Sequence, residues 1–129
     1  MAEKNPKVIL IEDDRWMADS LSETLEGISV KTVTNPEDTF AEIEIQKPDL
    51  VLADVTLGQK NIFVLLNEMQ SYSDTRQIPV IILSSSAAKL NLADLGAYGV
   101  MAIIDKGTAT PDKISAEIRR IIMEMDGKR

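Results

Sequence analysis

Five short apolar runs punctuate the chain: Val8-Ile9-Leu10-Ile11, Ile28 to Val33, Leu50-Val51-Leu52-Ala53, Val80-Ile81-Ile82-Leu83 and Val100 to Ile104. Four of them are continuous rather than alternating, the pattern of strands covered on both faces of a parallel sheet. The second alternates more, through Val30, Lys31, Thr32 and Val33, and reads as an edge strand. Helical spacing fills the intervals. Met17, Leu21 and Leu25 recur every fourth residue, with Gly27 as a C-terminal stop. Asn35-Pro36 has the form of an N-cap followed by proline at the first helical position, leading to Phe40 and Ile43. Ile62, Leu65, Leu66 and Met69 mark a third helix. Ala87, Leu90 or Leu92, and Leu95 suggest a short fourth one. Thr110-Pro111 opens the last, whose apolar stripe is Ile114, Ile118, Ile121, Ile122 and Met125.

Strand and helix therefore alternate five times, which predicts a single three-layer α/β domain with a parallel sheet. A length of 129 residues suits one domain with a proper core and is too short for two. The expected domain is residues 1–129, with a core of about 6–126 and no output domain after the last helix. The polar start, Met1 to Lys7, lacks the apolar centre of a signal peptide, and no run is long enough to span a bilayer. A soluble cytoplasmic protein without membrane attachment is the expectation.

Composition then narrows the chemistry. Lys and Arg number 14 against 21 Asp and Glu, a formal charge of −7, which argues against sequence-independent binding of nucleic acid or anionic lipid. With no cysteine there are no disulfides, thiolate metal sites or thiol nucleophiles. With no histidine, the commonest general base and the usual zinc ligand are also missing. Carboxylates, hydroxyls, lysine and hard cations remain.

In an open parallel sheet, ligands bind beyond the carboxyl ends of the strands. The residues after each run are therefore the informative ones. Glu12, Asp13 and Asp14 follow the first, and Asp54 ends the third. Ser84-Ser85-Ser86 follows the fourth and Asp105-Lys106 the fifth, whereas Thr34-Asn35 after the second reads as a helix cap. Glu12, Asp13 and Asp54 converging on one edge repel one another unless a cation sits among them. Their hard oxygens are the ligand set of Mg²⁺. Alone, an acidic run after a strand more often caps a helix and favours its N-terminal dipole. Lys106 by itself is a surface charge, and Ser84 a loop hydroxyl. Their joint placement at four strand ends favours a site: Lys106 would neutralise a phosphoryl oxygen, and Ser84 would offer its hydroxyl.

These residues resemble the receiver domain of two-component response regulators, over nearly the whole chain. Val8 to Asp14 is similar to the family's acidic-pair strand, and Pro48 to Asp54 to its phosphoacceptor strand. Ile78 to Ser84 resembles the strand ending in the switch hydroxyl, and Ile103 to Lys106 the strand ending in the family lysine. The intervals of 30 residues from Asp54 to Ser84 and 22 from Ser84 to Lys106 fit without a gap. The resemblance implies a flavodoxin-like sheet of order 2-1-3-4-5. It also implies that Asp54 accepts a phosphoryl group from a histidine kinase or histidine phosphotransfer protein. Glu12, Asp13, Asp54 and the backbone carbonyl of Thr56 would hold Mg²⁺, and Ser84 and Lys106 would bind phosphoryl oxygens. The output would be a surface read by a downstream protein target, with homodimerisation left open. Catalysis would be limited to self-phosphorylation and slow autodephosphorylation.

Five positions depart from the family pattern. Gly58 stands in place of the usual proline after the phosphoacceptor, and Asn61-Ile62 in place of Asp-Gly. Ile103 occupies the switch position, three before the lysine, that is commonly aromatic. Gly107 replaces a proline that usually follows a cis bond, and a cis Lys106–Gly107 bond would cost ~3 kcal/mol. None of these removes a phosphorylation residue; they bear on the activation signal and the partner surface.

Two other classes compete. A haloacid-dehalogenase-like phosphatase would also use Asp54 as nucleophile at a strand end. Asp54-Val55-Thr56 lacks the second acid such enzymes carry two residues on, and the chain has little room for a cap domain. A flavin carrier of the same topology needs a phosphate-cradling loop after the first strand, where Glu12-Asp13-Asp14 would repel phosphate.

Overall fold

All five apolar runs become strands in the computed structural model, which describes residues 5–12, 14–55, 61–85 and 87–127. They are β1 (Lys7–Ile11), β2 (Ser29–Val33), β3 (Leu50–Val55), β4 (Val80–Ser84) and β5 (Val100–Asp105). Between and after them lie α1 (Arg15–Thr24), α2 (Pro36–Gln46), α3 (Asn61–Gln70), α4 (Ser73–Arg76), α5 (Leu92–Leu95) and α6 (Pro111–Gly127). The sheet is wholly parallel with order β2-β1-β3-β4-β5. β2 is an edge, and its alternation of exposed and half-buried residues is the reason its sequence alternates.

Side chains alternate across each strand, so the sheet feeds two cores. Ile9, Val51, Ala53, Val55, Val80 and Ile82 pack on one face with Ile43 of α2 and Leu65, Leu66 and Met69 of α3. Val8, Leu10, Leu50, Leu52, Ile81 and Leu83 pack on the other with Ala18 of α1, Leu25 just after it, and Ile114, Ile118 and Ile121 of α6. Burial on this scale stabilises by ~1.5–3 kcal/mol per large side chain, and it explains why β1, β3 and β4 tolerate few polar residues. The exceptions, Lys7, Asp54 and Ser84, fall at or next to strand ends.

The helix ends follow local chemistry. Asn35 adopts extended backbone and its side chain accepts the Glu37 N–H at 3.0 Å, as its sequence predicts. α2 closes on Lys47, which is left-handed (φ 48°) and donates its N–H to Ile43. Gly27, after α1, is left-handed at φ 74°. A Cβ there would also meet the Arg119 guanidinium at 2.7 Å, because that side chain reaches from α6 to the Glu26 carbonyl. Thr110 caps α6 by accepting the Lys113 N–H.

Two segments differ from the sequence expectation. The short fourth helix divides into a 3-10 turn (Ala87–Lys89), α5 and a second 3-10 turn (Gly96–Tyr98). Asn91 starts a new cap on Ala93, and Leu95 is the buried anchor of α5, too little to hold a continuous helix. α4 has no apolar stripe at all. It is fixed by the Thr75 hydroxyl donating to the Met69 carbonyl at 2.7 Å in a buried position. No helix among the described residues is long and apolar enough to cross a membrane.

Candidate functional site

β1 and β3 are neighbours although α1, β2 and α2 separate them in sequence, so the direction of chain progression reverses there. Their register pairs Ile11 with Ala53, and one further step sets Glu12 beside Asp54. Both side chains are buried, at 4% and 6% residue exposure. Two carboxylates forced this close demand a counter-charge.

Lys106 supplies it. The residue follows β5, and its N–H bonds to the Ser84 carbonyl at 2.9 Å, which ties the turn to the end of β4. Its ammonium lies 2.7 Å from Asp54 Oδ2, the length of a charge-assisted hydrogen bond, and 3.8 Å from Glu12 Oε2. Glu12 Oε1 accepts the Asp14 N–H at 3.0 Å, which fixes the carboxylate against the start of α1. The Asp14 carbonyl accepts the Ala18 N–H and its side chain is exposed, so Asp14 leads into the helix.

Of the sequence candidates, the structure thus brings Glu12, Asp54 and Lys106 together. Ser84 sits at the same edge, 1% exposed and in register with Val55, the residue after Asp54. Alternation along β4 places Ser84 on the α2–α3 face with Ile82. Ile103 is half-buried on that same face and pairs with Ile82. Asp13, Thr56 and Gly58 lie outside the described residues, so that part of the ligand set and that departure have no structural account. Among the described residues no group of three acidic side chains forms a metal cluster. The donors that are described, two buried carboxylates spanned by one ammonium, do fit a hard divalent cation: they hold a positive charge already and offer oxygen alone.

Sequence reasoning placed Asp105 before Lys106 but gave it no role. Its carboxylate accepts the Gly107 N–H at 2.9 Å and its carbonyl the N–H groups of Thr108 and Ala109. That turn orients Lys106 with every described peptide bond trans, Lys106–Gly107 included. Asp followed two residues later by Gly is a turn signature, and it was legible.

Comparison with known proteins agrees with this arrangement. The chain is 33% identical over 81 residues to the transcriptional regulatory protein KdpE of Staphylococcus aureus, covering 61% of this chain and 34% of that protein. It is 34% identical over 91 residues to the transcriptional regulatory protein CiaR of Streptococcus pneumoniae, covering 70% and 38%. The chain thus spans well under two thirds of the length of these relatives. A CheY-like response regulator receiver domain protein from Methanospirillum hungatei has the same fold, with a TM-score of 0.81 over 96% of this chain and 98% of that one at 21% identity. The family model of the response regulator receiver domain matches residues 8–119, and the chain belongs to that family.

Proposed function

We propose that this chain is the phosphoacceptor of a two-component phosphorelay in the cytoplasm, with Asp54 as the residue that takes the phosphoryl group. The observation that carries the reading is the Lys106 ammonium held between Asp54 and Glu12 at the β1–β3 switch point. An Asp54 carboxylate oxygen attacks phosphorus as the P–N bond to the partner's phosphohistidine breaks, and the imidazole leaves. The donor is a histidine kinase or a histidine phosphotransfer protein, since this chain has no histidine of its own. Lys106 transfers its pairing from the carboxylate to a phosphoryl oxygen, and the Ser84 hydroxyl donates to another.

Glu12, Asp13, Asp54 and the Thr56 carbonyl are the residues that would hold Mg²⁺. The chemistry Mg²⁺ supplies when bound is neutralisation of the carboxylates and of the phosphoryl charge. The product is a switched protein surface rather than a released metabolite. Ile103, with restricted χ1 and no hydroxyl, adds little to that switch, which resides mainly in the segment after Ser84.

The test is intact-mass analysis after incubation with acetyl phosphate and Mg²⁺. The chain gains one phosphoryl group, Asp54→Asn gains none, and Asp14→Asn labels as the parent does. An undiminished gain in Asp54→Asn overturns the assignment.

A further inference from the structure

The Lys106 ammonium ends a flexible four-carbon stem, so where it rests depends on how firmly the backbone beneath it is held. The peptide plane before Lys106 is pinned on both sides. Its N–H donates to the Ser84 carbonyl at 2.9 Å, and its carbonyl, that of Asp105, accepts the Ala109 N–H at 3.0 Å and the Thr108 N–H at 3.2 Å. The plane after Lys106 is held by a side chain: Asp105 Oδ1 accepts the Gly107 N–H at 2.9 Å. Together these bonds fix both backbone dihedrals of Lys106, and with them the direction of its Cα–Cβ bond. Glycine at 107 brings no stiffness of its own, so the hydrogen bond closes the turn. The Asp105 side chain is exposed and forms no ion pair among the described residues. What it supplies is geometry rather than charge.

We propose that Asp105 is a positioning residue for phosphoryl transfer: its side chain closes the Asx turn that aims Lys106 at Asp54 and at the phosphoryl oxygen arriving there. The kinetic consequence rests on the function proposed above, whereas the aim of Lys106 does not.

The experiment compares Asp105→Asn, Asp105→Glu and Asp105→Ala in the full chain. Asparagine keeps the acceptor oxygen at the same reach and drops the charge. Glutamate keeps the charge but is one methylene too long for the turn, and alanine loses both. All three unfold cooperatively as the parent does, since the side chain is exposed. Labelling of Asp54 by acetyl phosphate and Mg²⁺ is followed by intact mass over time. Its maximal rate falls about fivefold in Asp105→Ala and Asp105→Glu, the worth of one hydrogen bond, with the half-saturating acetyl phosphate little changed. Asp105→Asn stays within about twofold of the parent. The ε-methylene proton signals of Lys106 report its aim without any phosphate: separate in the parent and in Asp105→Asn, averaged in Asp105→Ala and Asp105→Glu. Parent-like labelling and separate ε signals in Asp105→Ala would overturn the proposal. So would loss in Asp105→Asn with retention in Asp105→Glu, the order that a role for charge produces. An unlabelled parent chain whose ε signals follow the expected order would instead count against the phosphoacceptor reading alone.

Discussion

A lysine held between two buried carboxylates contributes through what its removal leaves behind. Lys106→Met leaves Asp54 facing Glu12 in a site from which water is largely excluded. Breaking such a pair costs more than the pair is worth, because the desolvated charge stays. With Lys106 part-exposed, the expected loss in metal-free protein is about 1–3 kcal/mol, read from urea denaturation. Adding Asp54→Asn to that variant should restore most of it, a coupling of about 1 kcal/mol or more. Strictly additive effects would mean that the ion pair does not govern the stability of the site. At this scale much was legible in the sequence. Glu12, Asp54, Ser84 and Lys106 announce themselves by standing just after apolar runs. That Lys106 spans two carboxylates was not legible, since it depends on the strand order, which no local pattern encodes.

Elements here are set as much by their ends as by their stripes. Gly27 and Lys47 both occupy left-handed backbone, one with the residue suited to it and one without. Gly27→Ala should cost about 1–2 kcal/mol, from left-handed strain plus the displaced Arg119 guanidinium. Lys47→Gly should gain about 0.5–1 kcal/mol, with the Ile43 cap retained. Thermal denaturation of both variants checks the opposite signs; equal signs would contradict the cap geometry. The same contrast explains which elements could be read in advance. α2, α3 and α6 carry buried stripes, and α2 and α6 carry sequence caps as well. α4 has only the Thr75–Met69 hydrogen bond, a contact between segments that periodicity cannot reveal. The segment from Ala87 to Tyr98 has Leu95 as its buried anchor among the described side chains, and breaks into short turns.

For the whole molecule, the sheet order brings β1 and β3 together and so assembles an acidic edge on a chain of net charge −7. Relieving that edge stabilises the folded state alone, so Mg²⁺ should raise the unfolding temperature. At ten times its dissociation constant the gain is about 1.4 kcal/mol, or roughly 4 °C for a domain of this size. Asp13→Asn should raise the metal-free midpoint and abolish the response; an unchanged Mg²⁺ shift in that variant would move the metal elsewhere. The central claim is that Asp54 carries the phosphoryl group as an acyl phosphate. Borohydride reduces an acyl phosphate to the alcohol, which converts a phosphorylated aspartate to homoserine. Treatment with acetyl phosphate and Mg²⁺, then borohydride, then peptide mapping should place homoserine at position 54 and leave Asp14, Asp49 and Asp105 intact. Homoserine at any of those three positions, with Asp54 unchanged, would contradict the account.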